Sequence, residues 1–400
     1  MTEILVAGGG VGGLAAALGL ARRGHRVTVL ERREVFTETG AGIQLGPNAF
    51  AALTRLGVAG EVLDRAVRVD ALRFMDGTTG EPVASMPVDG AYTARFGHPY
   101  AVVHRVDLHL PLLEACRRHP GVVLRGHQHV TGYTQRRGEV TALLADGGRL
   151  TGDALVGADG LHSAVRSRLV GDGAPRGAGH TVYRALVPMD EVPEGLRSPV
   201  VTLWAGPSWH IVHYPVAGGS HLNLAATREE TPRRAPAGAP VLPGRVRAAF
   251  PGLRGAARPL LERARGWRAW ALYDRAPVER WTDGRVALLG DAAHPMLQYA
   301  AQGACQALED AVALGEALGD RPADVERRLR RYAAERRART ARVQWVSREL
   351  GRRLYHAAGR ARRERNAMLG ALSPREMYDA VAWLHGGAGV PARAGAAAGG

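Results

Sequence analysis

Three glycines at the start of the chain constrain its fold more than any other feature. Gly8, Gly10 and Gly13 have the spacing G-x-G-x-x-G; the apolar residues 4–7 before them predict a buried strand, and residues 12–23 predict a helix. In this context the first glycine permits a tight turn, the second lets the backbone approach a pyrophosphate, and the third lets the helix pack closely on the strand. The sequence therefore predicts a dinucleotide site in a βαβ unit.

The end of that unit and a distant segment indicate which dinucleotide binds. A second predicted strand, residues 27–30, leads to Glu31, whose carboxylate can accept hydrogen bonds from ribose hydroxyl groups. Much later, the apolar strand 286–289 runs into Asp291, and Gly303 begins a helical pattern. A nicotinamide dehydrogenase has no need of this second strand and turn, whereas FAD extends beyond one βαβ unit. The two segments together favour FAD.

Every one of the 53 basic residues is arginine, and the formal net charge is +15. The absence of lysine excludes a Walker A phosphate loop and a Schiff-base lysine. Arginine is densest in residues 321–365, where a helical pattern predicts buried apolar positions at Leu329, Tyr332, Val343, Val346 and Leu350. Solvated helix faces explain this charge better than a nucleic-acid surface does, so no nucleic-acid partner is predicted. The apolar positions leave a homodimer interface open.

Length and cysteine usage bound the class of protein. A chain of 400 residues has room for two or three domains. Cys116 and Cys305 are the only cysteines and lack the spacing of a metal site or a disulfide framework, so no metal is predicted and the cytoplasm is the expected location. The apolar run 4–21 is not interpreted as a signal or membrane segment, because Glu3 stands in place of a basic n-region.

Short aromatic and β-branched runs without helices between them predict an antiparallel sheet in the middle of the chain. These runs are 180–188, 199–205, 209–214, 221–227 and 267–273. Elsewhere the predicted elements are a helix over 47–57, a helix capped by Asp107 that runs to about Arg118, and a strand over 154–158. Residues 231–259 are expected to form loops with a short helix, and the tail 386–400 is expected to be disordered.

Six segments, in the same order, resemble the aromatic-hydroxylase group of FAD-dependent monooxygenases: GGGVGG, Glu31, GAGIQLGPNA, HRVDLHLPLL, GADG and GDAAHP. The resemblance extends over nearly the whole chain. It implies an α/β fold in which a Rossmann-like FAD-binding domain carries an inserted antiparallel-sheet substrate domain and C-terminal helices. The FAD-binding domain is expected at 1–70, 101–175 and 280–345, the substrate domain at 71–100 and 176–279, and the helical segment at 346–385.

The resemblance also implies which residues contact FAD. Asp291 would hold the ribitol, Gln44 would lie near the flavin, and the turn at Asp159 would serve both FAD and the nicotinamide cosubstrate. Amides at the start of the helix after Gln302 would favour negative charge on reduced flavin. The complete predicted set is Gly8, Gly10, Gly13, Glu31, Arg32, Gln44, Arg105, Asp159, Asp291, Gly303 and Ala304.

The segment WHIVHYP carries the predicted substrate chemistry. As a strand it places His210, Val212 and Tyr214 on one face and the other histidine, His213, on the opposite face. GPSWHIVHYP and LQYAAQGA look like the 3-hydroxybenzoate 6-hydroxylase group, whose relatives include salicylate hydroxylases with a P-H-Q-G-A-G pattern instead. By that match, His210, Tyr214 and Gln298 face the aromatic ring.

The resemblance implies that NADH, in preference to NADPH, reduces FAD and that O2 forms a C4a-hydroperoxide, which hydroxylates 3-hydroxybenzoate to gentisate. A phenolate reacts far better than a phenol, whose pKa of about 10 leaves a deficit of roughly 4 kcal/mol at pH 7. The resulting hypothesis is that His210 takes the phenol proton, Tyr214 relays or orients it, and Gln298 fixes the ring. The sequence does not identify which arginine would bind the substrate carboxylate.

Other substrates and functions remain open from sequence. Salicylate, a hydroxynicotinate or a larger aromatic compound in a biosynthetic pathway would suit the same enzyme class. A halogenase is disfavoured because that family uses an active-site lysine, and a geranylgeranyl-type reductase would not explain WHIVHYP. From another class, a basic nucleic-acid-binding flavoprotein without turnover is the distant alternative.

Overall fold

The computed structural model describes residues 2–38, 40, 42–230, 237–320 and 324–386. Within these ranges the strands are β1 Glu3–Ala7, β2 Arg26–Leu30, β3 Gly42–Leu45, β4 Val67–Arg68, β5 Ala71–Asp76, β6 Pro82–Pro87, β7 Ala101–His104, β8 Val122–Arg125, β9 Val130–Arg136, β10 Glu139–Leu144, β11 Arg149–Gly152, β12 Ala154–Gly157, β13 Arg176–Pro188, β14 Val200–Gly206, β15 Trp209–Val216, β16 His221–Glu229, β17 Ala239–Pro240, β18 Arg268–Asp274, β19 Thr282–Asp283 and β20 Val286–Leu288.

The helices in the same ranges are α1 Val11–Ala21, α2 Pro47–Leu56, α3 Ala59–Leu63, α4 Gly90–Phe96, α5 Arg105–Arg118, α6 Ala164–Leu169, α7 Pro243–Ala249, α8 Ala257–Arg263, α9 Gly303–Leu318, α10 Val325–Glu349, α11 Gly359–Gly370 and α12 Pro374–His385. Short 3-10 turns include Gly290–Ala292 and Gln298–Ala300, and a π turn spans Leu350–Tyr355. None of the helices in the part of the chain that the structure describes is long and apolar enough to span a membrane.

A six-stranded sheet joins the two distant segments that the sequence pairs. Its order is β19-β20-β12-β1-β2-β8, and all neighbours are parallel except β19 and β20. Leu5 of β1 pairs with Thr28 on one side and with Leu155 on the other, and Leu155 pairs in turn with Val286. The central strands are buried on both faces, because helices and the three-stranded sheet β11-β10-β9 pack with them into one apolar core. The predicted parallel sheet is confirmed.

An eight-stranded sheet forms the second layer, in the order β17-β18-β13-β16-β15-β14-β5-β6. Seven of its strands fall within 71–87 and 200–274, and β13 begins at Arg176. The prediction of an antiparallel sheet is correct for most neighbours, but β14 pairs with β5 in parallel. A parallel pairing is possible here because β5 comes from an earlier part of the chain, so no tight hairpin has to connect the two strands. The predicted division of the chain into domains stays a prediction.

Helix α1 of the N-terminal βαβ unit and helix α9, which follows β20, are in close contact. A methyl group placed on Gly19 would lie 3.1 Å from the Ala311 carbonyl oxygen, and one on Gly315 would lie 3.1 Å from the Gly19 carbonyl oxygen. The helix backbones therefore pack against each other with no side chain between them. This contact places the start of α9 beside the glycine-rich turn.

The late arginine-rich helix differs from its predicted description in two respects. Leu329, Tyr332 and Val343 are buried as predicted, whereas Val346 and Leu350 are only half-buried. The homodimer interface stays a prediction. In addition, Arg336 is 2% exposed, so this face is not fully solvated.

Two smaller predictions also need correction or have no structural counterpart. Helix α5 begins at Arg105, and the ring of His104 accepts from the Val106 amide at its N-terminus, so Asp107 is not the cap. Of the predicted loop segment 231–259, residues 231–236 lie outside the described residues. Residues 237–259 contain loops and the short helix α7, while α8 overlaps the end of that segment. The predicted disordered tail lies outside the described residues apart from Gly386.

Replacing Gly315 by Val tests the α1–α9 contact. The side chain would push against backbone that cannot move independently, so we expect a loss of about 1–3 kcal/mol in the free energy of unfolding, measured by urea titration of the FAD-bound protein. Gly60→Val is the matched control, because a methyl group added to that helical glycine would have nothing within 4 Å. Equal urea midpoints for the two variants would contradict the close helix contact.

Candidate active site

The glycine-rich turn leaves room for a phosphate on one side only. Gly8 has φ +103°, and a methyl group on it would lie 2.4 Å from the Ala158 carbonyl oxygen. A methyl group on Gly13 would lie 1.9 Å from the Gly8 carbonyl oxygen. Around Gly10, by contrast, the nearest atom is a Glu38 carboxylate oxygen at 3.3 Å. Two glycines thus close the turn, whereas the third meets only the end of the Glu38 side chain, which would have to move to admit a pyrophosphate to its backbone.

Glu31 and a histidine that the sequence analysis missed hold this turn. Glu31 accepts from the Gly9 amide (2.8 Å) and from the Arg33 amide (3.0 Å). The ring of His109, buried in α5, bonds to the Gly9 carbonyl oxygen at 2.9 Å. Arg32 is exposed and has no hydrogen bond within the described ranges. The ribose role of Glu31 and the role of Arg32 stay predictions.

Arg105 and Gln44 belong to the region of two paired strands, β7 and β3. Arg105 directly follows β7 and pairs with Glu38, with 3.0 Å between the Nε and Oε2 atoms. Gln44 lies on β3, the partner of β7, and its Oε1 atom accepts from the Tyr100 hydroxyl at 2.7 Å. Both side chains have other partners in this structure, and their FAD contacts stay predictions.

Asp291 and the start of α9 form the second half of the predicted cofactor site. Asp291 is exposed and has no hydrogen-bond partner in the part of the chain that the structure describes. A methyl group on Gly303 would lie 4.0 Å from its Oδ1 atom, so the carboxylate adjoins the first amides of α9, at Gly303 and Ala304. No side chain caps these amides. The free carboxylate could accept hydrogen bonds from hydroxyl groups of FAD. The free amides could donate to the negative charge that develops on reduced flavin.

A buried ionic cluster holds the loop that carries Asp291. Asp310, which is fully buried, accepts from the Gly290 amide at 3.0 Å, from the His294 ring, and from Arg336 Nε at 2.7 Å. Burial opposes ionisation of Asp310, but the opposite charges of His294 and Arg336 outweigh it and lower its pKa to about 2. The loop is therefore tied to α9 and α10 by an ionised carboxylate.

Arg166 supports the same loop from the other side. Its guanidinium is fully buried and donates to the carbonyl oxygens of Ala292 (3.0 Å) and Ala293 (2.7 Å). It also pairs with Asp172, which in turn pairs with Arg275. The contacts of Arg166 with the loop and of Arg336 with Asp310 carry no local sequence signal, because these partners lie far away along the chain.

Asp159 has a local structural task. Its carboxylate accepts from the Ser163 hydroxyl group (2.5 Å) and from the Ala164 and Val165 amides (2.8 and 3.3 Å), at the start of α6. Burial raises its pKa, although these hydrogen bonds oppose that effect. Both carboxylate oxygens are already used, so its contact with FAD or nicotinamide stays a prediction.

One face of the eight-stranded sheet carries His210 of β15, Thr227 of β16 and Arg184 of β13, and we call it the mixed polar face. Cross-strand pairing aligns His210 with Thr227 of β16, and aligns Val212 with Ala225 and then with Arg184 of β13. The predicted strand and its alternation are confirmed. His213 points to the opposite face, where it stacks against Trp204 with 6.4 Å between ring centroids.

His210 contacts a histidine and two tyrosines. Its Nδ1 atom lies 2.9 Å from Nε2 of His356, and its ring centroid lies 5.3 Å from that of Tyr299 and 5.1 Å from that of Tyr355. Burial, followed by the proximity of His356 and His180, places the pKa of His210 well below its ordinary value. The imidazole is therefore neutral at pH 7, and its Nε2 has no partner within the described ranges.

Tyr214 does not form a pair with His210. The two residues are four apart on one strand, about 13 Å at ordinary strand rise, and no hydrogen bond or ring contact joins them. A methyl group on Gly42 would lie 2.4 Å from the Tyr214 ring, and burial raises the pKa of Tyr214 to about 12 although Arg184 opposes the shift. Direct proton relay between Tyr214 and His210 is wrong; an orienting role for Tyr214 stays a prediction.

Gln298 connects the loop that carries Asp291 to the eight-stranded sheet. Its Oε1 atom accepts from Arg184 Nη2 at 2.8 Å, and its Nε2 atom donates to the Thr227 hydroxyl at 2.9 Å. Arg184 is half-buried on the mixed polar face, has no carboxylate partner among the described residues, and burial lowers its pKa. The arrangement brings Gln298, His210 and a guanidinium without a counter-ion to one face.

The chain is similar to known proteins over nearly its full length. A family model described as an FAD binding domain matches residues 1–346. The 3-hydroxybenzoate 6-hydroxylase 1 of Aquipseudomonas alcaligenes is 46% identical over 96% of this chain and 97% of that protein. A 3-amino-4-hydroxybenzoate 2-monooxygenase of Streptomyces platensis is 40% identical over 97% of both chains. A substrate complex of salicylate hydroxylase has a TM-score of 0.82 and 28% identity, and covers 96% of this chain and 95% of its own.

Substituting Asn for Asp310 tests the buried cluster. The change leaves Arg336 without one of its charge partners, so we expect a loss of about 3 kcal/mol or more in the free energy of unfolding at pH 7. Because the folded pKa of Asp310 is depressed, its contribution is present above the unfolded pKa of about 3.9 and is lost as pH falls toward about 2. Urea titrations at pH 7 measure the difference.

Glu316→Gln is the control for Asp310→Asn, since Glu316 lies on the same helix but forms an exposed pair with Arg55. We expect the control to change stability by less than about 1 kcal/mol. Similar losses in both variants would mean that the cluster does not anchor the loop.

Proposed function

The chain belongs to the family of FAD-binding flavoprotein aromatic hydroxylases, and on that premise we propose that it converts 3-hydroxybenzoate to gentisate. The observation that carries the proposal is the contact of Gln298 with both Arg184 and Thr227. This contact attaches the loop that carries Asp291 to the mixed polar face, where the base is His210, the amide is Gln298 and the cation is Arg184. A small phenolic acid needs these groups, since it has one hydroxyl group to deprotonate and one carboxylate to bind.

FAD, when bound, supplies the activated oxygen, and we propose NADH as the source of electrons. Asp291 and the amides at Gly303 and Ala304 have free hydrogen-bonding atoms for FAD, and the backbone of Gly10 is bordered only by the movable Glu38 side chain. Glu31 and Arg105 would exchange a present protein contact for a cofactor contact.

His210 is the base in this proposal. Its neutral ring can accept a proton at Nε2, and loss of the phenol proton makes the carbons ortho and para to oxygen electron-rich. Hydroxylation at the para carbon gives the 2,5-dihydroxy acid. Gln298 keeps one orientation because both ends of its amide are hydrogen-bonded. It can therefore hold the substrate ring so that the phenol hydroxyl faces His210.

Arg184 is the residue that we assign to the substrate carboxylate. Its guanidinium is held by Gln298 at Nη2. Burial without an opposing carboxylate destabilises the charged form, and an anionic ligand would remove that penalty. A benzoate bound between Arg184 and His210 would therefore have both of its functional groups satisfied.

Product analysis tests the proposed reaction. Purified FAD-bound enzyme mixed with NADH and 3-hydroxybenzoate under air should form gentisate in amounts that match NADH consumed. Salicylate, 6-hydroxynicotinate and 3-amino-4-hydroxybenzoate are the competing substrates, chosen because they carry the same groups in other positions. Faster coupled turnover of one of these, or NADH oxidation that yields only peroxide, would refute 3-hydroxybenzoate as the substrate.

Arg184→Met tests the carboxylate assignment. Loss of a charge-assisted hydrogen bond of about 1.5–3 kcal/mol should weaken 3-hydroxybenzoate binding by roughly 10- to 100-fold. The binding of 3-hydroxybenzamide, which lacks the charge, should change far less. Both dissociation constants follow from titration of the flavin spectrum.

The control for Arg184→Met is Arg268→Met. Arg268 is paired with Arg184 across the sheet, but its guanidinium donates to the Gly238 carbonyl oxygen. The Arg268→Met variant should bind 3-hydroxybenzoate and 3-hydroxybenzamide with the same dissociation constants as the wild type. If Arg184→Met weakens the acid and the amide equally, Arg184 does not bind the carboxylate.

A further inference from the structure

His210 is one end of a hydrogen-bonded chain that leads to the protein surface. Its Nδ1 atom lies 2.9 Å from His356 Nε2, and His356 Nδ1 lies 3.1 Å from Glu229 Oε1. The side chain of His356 is 2% exposed, whereas that of Glu229 is 45% exposed. The chain of contacts thus begins in the buried sheet face and ends at solvent.

The carboxylate at the outer end sets the tautomer of each ring. Glu229 can only accept when ionised, so His356 carries its proton on Nδ1 and leaves Nε2 as an acceptor. His210 must then donate from Nδ1, which leaves the lone pair on its Nε2 free for the substrate. The same logic orients the histidine in a Ser-His-Asp triad.

A base at His210 needs an outlet for the proton. Burial lowers the pKa of His210 and also lowers that of His356 to about 4, so neither ring retains an added proton at pH 7. Glu229, at the surface, can exchange a proton with water. The phenol proton would otherwise return to the phenolate.

We propose that His356 and Glu229 conduct the phenol proton from His210 to solvent, a role that rests on the proposed function of His210. The phenol O–H bond breaks as a proton joins His210 Nε2, the proton on His210 Nδ1 moves to His356 Nε2, and the proton on His356 Nδ1 moves to Glu229. The substrate keeps the electron pair as phenolate, and Glu229 releases the proton to water. When the ring regains its aromaticity, the hydroxylated carbon releases its proton to water and the ring oxygen takes a proton back from His210 Nε2, so that reversal of the path resets both tautomers.

The fold holds His356 in place independently of its imidazole. Its backbone amide donates to the Gly351 carbonyl oxygen, and its own carbonyl oxygen accepts from the Ser208 amide before β15. Tyr355 next to it donates to the Tyr299 carbonyl oxygen at 2.8 Å. His356 lies beyond residue 346, where the match to the family model ends. Both it and Glu229 act through His210 and are positioning residues.

His180 serves as a control for the proton relay, and it also raises a metal site as the alternative role of this cluster. Its Nε2 atom lies 3.7 Å from Glu229 and its Nδ1 atom 3.2 Å from the Tyr299 hydroxyl, so it flanks the path without linking His210 to Glu229. The ligating atoms of His180, Glu229 and His356 also lie within 4.8 Å of one another, as a metal site would require. A relay needs His356 but not His180, whereas a metal site needs both.

The test compares His356→Ala, His180→Ala and His210→Ala as FAD-bound enzymes in turnover of 3-hydroxybenzoate. We expect His356→Ala to lower kcat for gentisate by about 10-fold or more, with little change in KM or in the rate of flavin reduction. Imidazole added at constant pH and ionic strength should restore much of kcat, because it can carry protons through the vacated space. His180→Ala should retain most of the wild-type rate and gain nothing from imidazole.

Glu229→Gln is the second variant, since the amide keeps a hydrogen bond but cannot take the proton; it should also lose kcat. Wild-type kcat in His356→Ala, or a loss without imidazole rescue, overturns the relay even if His210→Ala is inactive as proposed. Equal losses in His180→Ala and His356→Ala, with bound metal in the wild type and activity removed by chelation, identify a metal site instead. If the wild type does not hydroxylate 3-hydroxybenzoate, the proposed function and the relay both fail.

Discussion

The buried carboxylate of Asp310 is the interaction on which the site depends. It binds the Gly290 amide, His294 and Arg336 at once, and so ties the loop after β20 to two helices. Breaking one contact would leave charge in a medium that cannot solvate it. The loop that carries both Asp291, the predicted cofactor contact, and Gln298, the predicted substrate contact, is therefore anchored by this cluster.

Arginine suits this architecture because its planar fork can satisfy several acceptors when buried. Arg166 holds two carbonyl oxygens of the same loop and pairs with Asp172. Arg336 bonds to Asp310 and Glu309. A lysine would offer a point charge without that geometry. The arginine-rich composition therefore supplies part of the internal framework of the site.

Much of the fold was predictable from local patterns. The glycine spacing, the apolar strands and the period-two alternation of β15 each depend on neighbours in sequence, and each has the predicted form in the structure. Two of the errors occur where a side chain finds a distant partner: Arg336 is buried in a helix expected to be solvated, and His210 contacts His356 and not Tyr214. The third is local, since the ring of His104 caps α5 in place of Asp107.

The sequence by itself determined the dinucleotide turn, the pairing of the first βαβ unit with the segment after residue 285, and the face of β15 that carries His210. Only the tertiary structure decided which arginine lies beside Gln298 and which groups continue from His210 to the surface. The physical reason is that periodicity fixes the direction of a side chain relative to its own element. The partner it meets depends on how elements more than a hundred residues apart pack together.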